Sequence, residues 1–143
     1  MALTSSQIFV NLHVNDLEKS KAFFTELGFA FNLQFTDEKA ACLVVGENIF
    51  VMLLVEEFFK SFTKKEIVDT SKYAQLTVAI SAESRAKVDE IVNQAVAAGA
   101  TVYADAVDHG FMYQWGFQDL DGHIWEIAYM DMGAFEEQPD GQA

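Results

Sequence analysis

The sequence has little of what marks a secreted, nucleic-acid-binding or membrane-spanning protein. Its single cysteine, Cys42, cannot form an internal disulfide, which favours a buried structural thiol in a reducing cytoplasm. There are only nine Lys and Arg but 22 Asp and Glu, and the net charge of −13 argues against a nucleic-acid partner. No apolar run approaches the ~20 residues that cross a bilayer, and no signal-peptide pattern is visible, so neither a membrane partner nor secretion is expected.

The composition favours a packed globular domain. Of the 143 residues, 51% are hydrophobic and 13 are Phe, enough for one domain with a sizeable core. The acidic charge tolerates a neutral or cationic small molecule as partner.

Alternation of apolar residues and turn signals predict the same order of elements twice. In the first half, strands are predicted at 8–14, 29–36, 40–45 and 49–55. In the second half, they are predicted at 75–81, 101–107, 111–118 and 123–129. A helix follows the first strand of each half, with Asn15 and Ser81 as the expected N-caps and Gly28 and Gly99 as the expected ends.

The predicted class is therefore α+β, with two tandem βαβββ modules that form a curved mixed sheet around a cavity. We assign the parts of this single domain as module one (7–55), a linker (56–74), module two (75–130) and a polar tail (131–143). The linker is charged but carries Phe58, Phe59 and Phe62, and these suggest a short amphipathic flap.

Two segments carry a family resemblance. They are VNDLEKSKAFFTELGF at 14–29 and FQDLDGHIWEI at 117–127, where Leu120 replaces a proline. Together with the repeated order they resemble the vicinal oxygen chelate superfamily, which includes glyoxalase I, extradiol dioxygenases and the fosfomycin- and bleomycin-resistance proteins. The resemblance spans roughly residues 7–130. It implies a homodimer, and it points to a predicted lactoylglutathione lyase.

The resemblance also implies where a metal would bind. In metal-dependent members, side chains from the first and last strand of each module hold one divalent ion, and the matching positions here are Phe9, Met52, Gln75 and Glu126. Phe9 has no donor atom and a thioether is a poor ligand for hard divalent ions. Only Gln75 and Glu126 remain as weak donors, so we expect no cofactor and no tightly bound catalytic metal, with a divalent metal as the disfavoured alternative.

The same alternation predicts a mainly apolar cavity with a few polar groups, as in small-molecule sites. Asn11, Met52 and Gln75 are candidate ligand contacts, although each could equally be a core residue. Glu126 is the candidate general base, although it could instead accept hydrogen bonds from Gln75 or Asn11 and serve structure. His13 is a weaker candidate for moving a proton, since a lone histidine is more often a polar residue at the rim.

An aromatic stripe adds two further candidates. Tyr113 and Trp115 share one strand face with Phe117, and they would stack on a planar or cationic ligand if that face lined the cavity. An aromatic stripe of this kind is more often part of a core. The alternation of side chains along the strand does not decide between a ligand-stacking surface and a core position.

Three functions follow from these residues. The first is metal-free binding of a small molecule, as in bleomycin-resistance proteins, which fits the acidic charge and the missing ligands. The second is a metal-dependent lyase or isomerase of the glyoxalase type. The third is a metal-independent enzyme that uses Glu126 as base.

Overall fold

The computed structural model describes residues 1–133, and the chain divides into two compact units between Asp69 and Thr70. Only 131–133 of the tail predicted at 131–143 lie within the described residues. The first unit contains β1 (Ile8–Val14), α1 (Leu17–Glu26), β2 (Ala30–Asn32), β3 (Ala40–Gly46), β4 (Ile49–Val55) and α2 (Glu56–Lys60). The second contains β5 (Thr77–Ser81), α3 (Arg85–Ala97), β6 (Val107–Asp108), β7 (Met112–Gln118) and β8 (Ile124–Met130). No helix in this part of the chain is long and apolar enough to cross a membrane.

Each unit builds one four-stranded mixed sheet by the same plan. The strand orders are β1-β4-β3-β2 and β5-β8-β7-β6. In both units the first strand pairs in parallel with the last, and the other pairs are antiparallel. A helix connection between strands makes a parallel pairing possible where a tight hairpin cannot. The α+β class and the two βαβββ modules predicted from the sequence are confirmed.

The core of the first unit lies between α1 and one face of its sheet. Leu12, Val14 and Leu53 point to that face and are almost completely buried. From the helix side, Phe23 and Phe24 are buried and α1 packs on β3 and β4. Full burial of an apolar side chain of this size contributes roughly 1.5–3 kcal/mol, so this interface is the main source of the unit's stability.

The core of the second unit lies between α3 and one face of the other sheet. Val88, Val92 and Ala95 recur at helical spacing on α3 and are fully buried. The helix packs on β7 and β8, where Phe117 and Trp125 lie with their rings nearly parallel and 6.5 Å between centroids. Phe117 of the predicted aromatic stripe is therefore a core residue.

Cys42 lies on β3 and is fully buried, as predicted. Burial raises the pKa of its thiol. The thiol therefore stays protonated and unreactive, because the thiolate is the nucleophilic form.

The helix N-termini differ from the prediction. Asp16, not Asn15, caps α1, and its side chain accepts the backbone N–H three residues on at 3.1 Å. Ser84, not Ser81, caps α3 in the same way at 3.0 Å, because Ser81 still belongs to β5. The helix ends are confirmed, with a glycine of positive φ after each: Gly28 (+106°) and Gly99 (+117°).

Three predicted strands are shorter than expected by two or more residues. The strand at 29–36 stops at Asn32, whose side chain accepts the N–H of Gln34 and caps a 3₁₀ turn at Leu33–Phe35. The strand at 101–107 is reduced to β6 and one isolated bridge between Thr101 and Gln118, since 102–106 includes Ala and Asp, which strands disfavour. The strand at 75–81 begins only at Thr77.

The turn between β7 and β8 is built around one buried carboxylate. Asp119 accepts the backbone N–H groups of Asp121 (2.9 Å) and His123 (3.0 Å) on one oxygen. Its other oxygen accepts the indole N–H of Trp125 at 3.0 Å. Burial raises the pKa of the Asp119 carboxyl, although the neighbouring His123 and these hydrogen bonds oppose the rise. Asp119 therefore couples the turn to the core.

The Asp119→Asn variant tests this coupling. An amide offers one acceptor oxygen and turns an N–H₂ donor toward either the backbone N–H groups or the indole N–H. A buried donor is then unsatisfied, and we expect the free energy of unfolding to fall by about 1–3 kcal/mol in urea titrations. Glu38→Gln, an equivalent change at an exposed residue of the first unit, should leave it within about 0.5 kcal/mol of the parent. Equal stability of the two variants would contradict the assigned role.

Candidate functional site

The packing of β8 determines where Glu126 points. Successive strand residues point to opposite faces, and Trp125 and Ile127 are both 0% exposed on the face that α3 covers. Glu126 therefore points to the opposite face, which we call the Glu126 face, and is half-buried there. Ile124 and Ala128 share this face.

The strand neighbours of Glu126 have the smallest side chains available. In the register of the sheet, Glu126 lies beside Ala79 of β5 and beside Gly116 of β7. Directly paired residues of neighbouring strands point to the same face. The carboxylate is consequently not crowded from either adjacent strand.

The position above Gly116 is filled by a residue distant in sequence. A Cβ atom on Gly116 would lie 2.5 Å from the hydroxyl of Tyr103 and 2.5 Å from the carbonyl oxygen of Trp125. Real Cβ atoms do not approach other atoms so closely. Glycine is required at 116 because the Tyr103 hydroxyl and the Trp125 carbonyl oxygen take the space of its side chain.

These residues line a small pocket of about 80 Å³ on the Glu126 face. Its lining comes from the 102–106 segment, from β6 and β7, and from β8. The lining residues are Tyr103, Ala104, Asp105, Val107, Gln114, Trp115, Gly116 and Glu126. The pocket therefore combines an aromatic hydroxyl, an amide and two carboxylates.

The electrostatic character of the pocket is negative. Among residues 1–133, none makes a hydrogen bond or an ion pair with the Glu126 carboxylate. The pKa of the Tyr103 hydroxyl is raised, first by burial and then by the nearby Glu126 carboxylate. Tyr103 thus stays protonated at neutral pH and available as a hydrogen-bond donor.

Tyr113 and Trp115, predicted as ligand contacts, have side chains on the opposite face of β7 from Glu126. The register pairs them with Tyr129 and Ile127, on the side covered by α3. The Tyr113 hydroxyl donates to Asp89 of α3 at 2.6 Å. The structure therefore does not bring the Tyr113 side chain together with the Glu126 carboxylate, whereas Trp115 lines the same pocket as Glu126.

Trp115 also supports one wall of the pocket through a hydrogen bond. Its indole N–H donates to the carbonyl of Ala104 at 2.9 Å, next to Tyr103 in the chain. Within residues 1–133, the segment 102–106 has no strand partner of its own, so this bond helps to hold it against β7. Trp115 thereby supports the wall that carries Tyr103.

In the first unit, the candidate residues Asn11, Met52 and His13 lie on one face of the sheet. The parallel register places Phe9, Asn11 and His13 beside Phe50, Met52 and Leu54, respectively, on the sheet face away from α1. At one end of the row the rings of Phe9 and Phe50 stack with centroids 4.9 Å apart, and Phe9 is 48% exposed. Asn11 is exposed and Met52 is half-buried.

His13 lies at the other end of this row and is buried, at 7% exposure. The ring of Phe59 contacts it edge-on, with 6.4 Å between centroids. Phe59 belongs to α2, the helix formed by the start of the predicted flap, and α2 packs on β1 and β4. His13 therefore lies beneath a helix, and its predicted role in moving a proton has no further support from this position.

The residues at the metal positions implied by the resemblance do not fit a metal centre. Phe9 and Met52 offer no oxygen or nitrogen donor, and Gln75 is exposed on the segment before β5. Glu126 is then the only anionic ligand of the set, which is a poor donor set for a divalent ion. Nowhere in residues 1–133 do three His, Cys, Asp or Glu side chains come close enough to hold a metal together.

The sequence interpretation missed Tyr103 and Gly116. The available signal was a glycine in the interior of a predicted strand, opposite a carboxylate, which often marks the close approach of another group. The sequence did not indicate which group would lie against Gly116. The bridge at Thr101 and the shortened β6 bring Tyr103 there.

Comparison with known proteins supports the fold assignment. The family model described as "Bleomycin resistance protein-like N-terminal" matches residues 7–46 of this chain. A hypothetical protein from S. aureus has a similar structure with a TM-score of 0.75 and 27% identity, over 90% of this chain and 95% of the other. No curated protein matches the sequence.

Two further solved structures share the fold at lower identity. A glyoxalase/bleomycin resistance protein/dioxygenase family enzyme from Burkholderia phytofirmans aligns with a TM-score of 0.73 and 18% identity, over 85% of this chain and 96% of that one. The fosfomycin resistance protein FosX from Listeria monocytogenes aligns with a TM-score of 0.64 and 18% identity, over 89% and 94%. At such identities the likeness concerns the fold alone.

Gly116→Ala tests the packing of the pocket wall. The added methyl group must displace Tyr103 or the β8 backbone, and we expect the free energy of unfolding to fall by about 1–3 kcal/mol in urea titrations. Gly46→Ala is the matched control, since its Cβ would meet only the flexible Ile49 side chain, at 3.3 Å. The free energy of unfolding should fall clearly less in Gly46→Ala than in Gly116→Ala. If Gly116→Ala were as stable as the parent, the close approach of Tyr103 would be refuted.

Proposed function

We propose that the chain is a member of the vicinal oxygen chelate superfamily, from its paired modules and the bleomycin-resistance-like match at residues 7–46, and that it binds a small cationic molecule without a catalytic metal. We assign Glu126 as the residue that contacts the ligand's positive charge. The proposal concerns binding on the Glu126 face of the second unit. It makes the protein a metal-free binder in the manner of bleomycin-resistance proteins.

One observation carries this proposal: the Glu126 carboxylate is half-buried in a pocket and has no hydrogen-bond or ion-pair partner among the described residues. Partial loss of water around a carboxylate is unfavourable unless another group replaces the lost hydrogen bonds. A cationic ligand would supply that group. The other carboxylate in the lining, Asp105, adds a second negative charge.

The charge of the whole chain acts in the same direction. A net charge of −13 attracts small cations and repels anionic substrates over distances comparable to the Debye length. Glutathione conjugates, which glyoxalase-type lyases use, are acidic molecules. The electrostatics therefore favour a cationic ligand over a lyase substrate of that kind.

The donor set disfavours the metal-dependent alternative. Of the four implied metal positions, only Glu126 supplies a charged ligand, so lyase or isomerase chemistry through a metal has little support from the residues of this chain. A metal-independent enzyme with Glu126 as base remains the second candidate. The same unpartnered carboxylate favours it, since a base needs a free lone pair to accept a proton.

Binding measurements with Glu126→Gln test the proposal. In chelator-treated buffer, calorimetric titration with bleomycin and with small aromatic cations should detect at least one ligand. We expect the variant to bind that ligand about tenfold or more weakly, because an amide keeps the shape but loses the charge. Glu66→Gln, an equivalent change at an exposed residue of the first unit, should leave the affinity unchanged.

Two results would contradict metal-free binding. One is retention of nickel, zinc, iron or manganese in molar proportion, lost in Glu126→Gln. The other is a ligand affinity that Glu126→Gln does not alter. Turnover of a bound ligand in chelator-treated buffer, abolished in Glu126→Gln, would instead identify the metal-independent enzyme.

A further inference from the structure

The hydroxyl of Tyr103 occupies the space that a side chain at Gly116 of β7 would fill. Its hydroxyl lies where the Cβ of residue 116 would be, within 2.5 Å of that ideal position. Gly116 is the direct register partner of Glu126. In an antiparallel pair, the Cβ atoms of such partners are about 4.5–5.5 Å apart on the same face. The hydroxyl of Tyr103 thus occupies the cross-strand position next to the Glu126 side chain.

The result is a cross-strand tyrosine–glutamate pair in which the tyrosine comes from another segment. Both residues line the same pocket. The influence of Glu126 on the pKa of the Tyr103 hydroxyl is consistent with their proximity. The pair has one proton, on the phenol, and several oxygen lone pairs, so it is predominantly a hydrogen-bond acceptor.

We propose that Tyr103 and Glu126 together bind the planar amidinium or guanidinium end of a ligand. This inference rests on the proposed function and specifies its ligand class. In the bound state the Tyr103 hydroxyl donates to one carboxylate oxygen of Glu126. The phenol oxygen accepts one ligand N–H, and the free carboxylate oxygen accepts a second N–H of the same planar group.

The size and shape of the pocket agree with this class. About 80 Å³ accommodates a small head group rather than a whole drug-sized molecule. A planar cation with parallel N–H donors gains from two acceptors side by side, as in bidentate carboxylate recognition. A simple ammonium group is a point charge and gains less from the second acceptor. Tyr103 also offers its ring, since 44% of the residue is exposed.

The first experiment tests the pair without a ligand. Phenolate absorbance is followed with increasing pH in the parent and in Tyr103→Phe, so that the difference isolates Tyr103. We expect Glu126→Gln to lower the pKa of Tyr103, because the negative charge that disfavours the phenolate is gone. Glu66→Gln should leave that pKa unchanged. An unchanged pKa in Glu126→Gln would overturn the pairing, whatever ligand is found.

The second experiment tests the ligand class with acetamidine and benzamidine as probes, and with ethylamine and acetamide as comparators. We expect both amidines to bind the parent more tightly than either comparator. Tyr103→Phe should weaken amidine binding by about tenfold, the loss expected for one hydrogen bond to a charged group, and should affect ethylamine less. Tyr73→Phe, at an exposed tyrosine outside this pocket, should have no effect.

The outcomes separate this inference from the proposed function. If cations bind in a manner that requires Glu126 but Tyr103→Phe leaves amidine binding unchanged, the two-point contact is wrong while the cation site stands. If the amidines bind no better than ethylamine, the inferred ligand class is wrong. If no cation binds the parent, both proposals fail, even where the Tyr103 titration confirms the pair.

Discussion

The burial of Trp125 and Ile127 under α3 determines the geometry of the candidate site. With both residues committed to the core, β8 has one orientation in the sheet, and Glu126 must point to the other face. A shift of one residue in register would bury the carboxylate and expose the indole. The Asp119 turn opposes such a shift, because its hydrogen bond to the Trp125 indole fixes the start of β8 relative to the turn. The site thus depends on the same contacts that stabilise the second unit.

Much of the fold could be predicted from local patterns. Alternation gave the bounds of β1 and β4 without error, and the glycines after both helices marked their ends. The errors arose where a polar side chain could satisfy the backbone in more than one way. Asn15 and Asp16 are both good caps, and only the folded geometry shows that the Asp16 carboxylate reaches the backbone of the first turn.

The candidate site was less predictable, because it depends on contacts between segments distant in sequence. The alternation of side chains along β8 correctly separated Glu126 from Trp125. The same alternation along β7 did not decide whether Tyr113 and Trp115 point to the sheet face that α3 covers. That decision came from the packing of α3 on β7. The role of Tyr103 depends on an irregular segment crossing a strand at a glycine, for which no short-range pattern exists. Homodimerisation and a cytoplasmic location stay predictions.

Tyr103, from an irregular segment, fills the space of the side chain that Gly116 lacks. This arrangement affects how such a site can change during evolution. Loops accept insertions and replacements far more readily than paired strands do, since fewer backbone hydrogen bonds are at stake. As long as residue 116 stays glycine, the group that reaches over it can be exchanged by altering 102–106, while β7 and β8 keep their sequence. Under the proposed function, the segment 102–106 would be an interchangeable recognition element on a constant framework, and variation in selectivity among homologues would be concentrated in that segment.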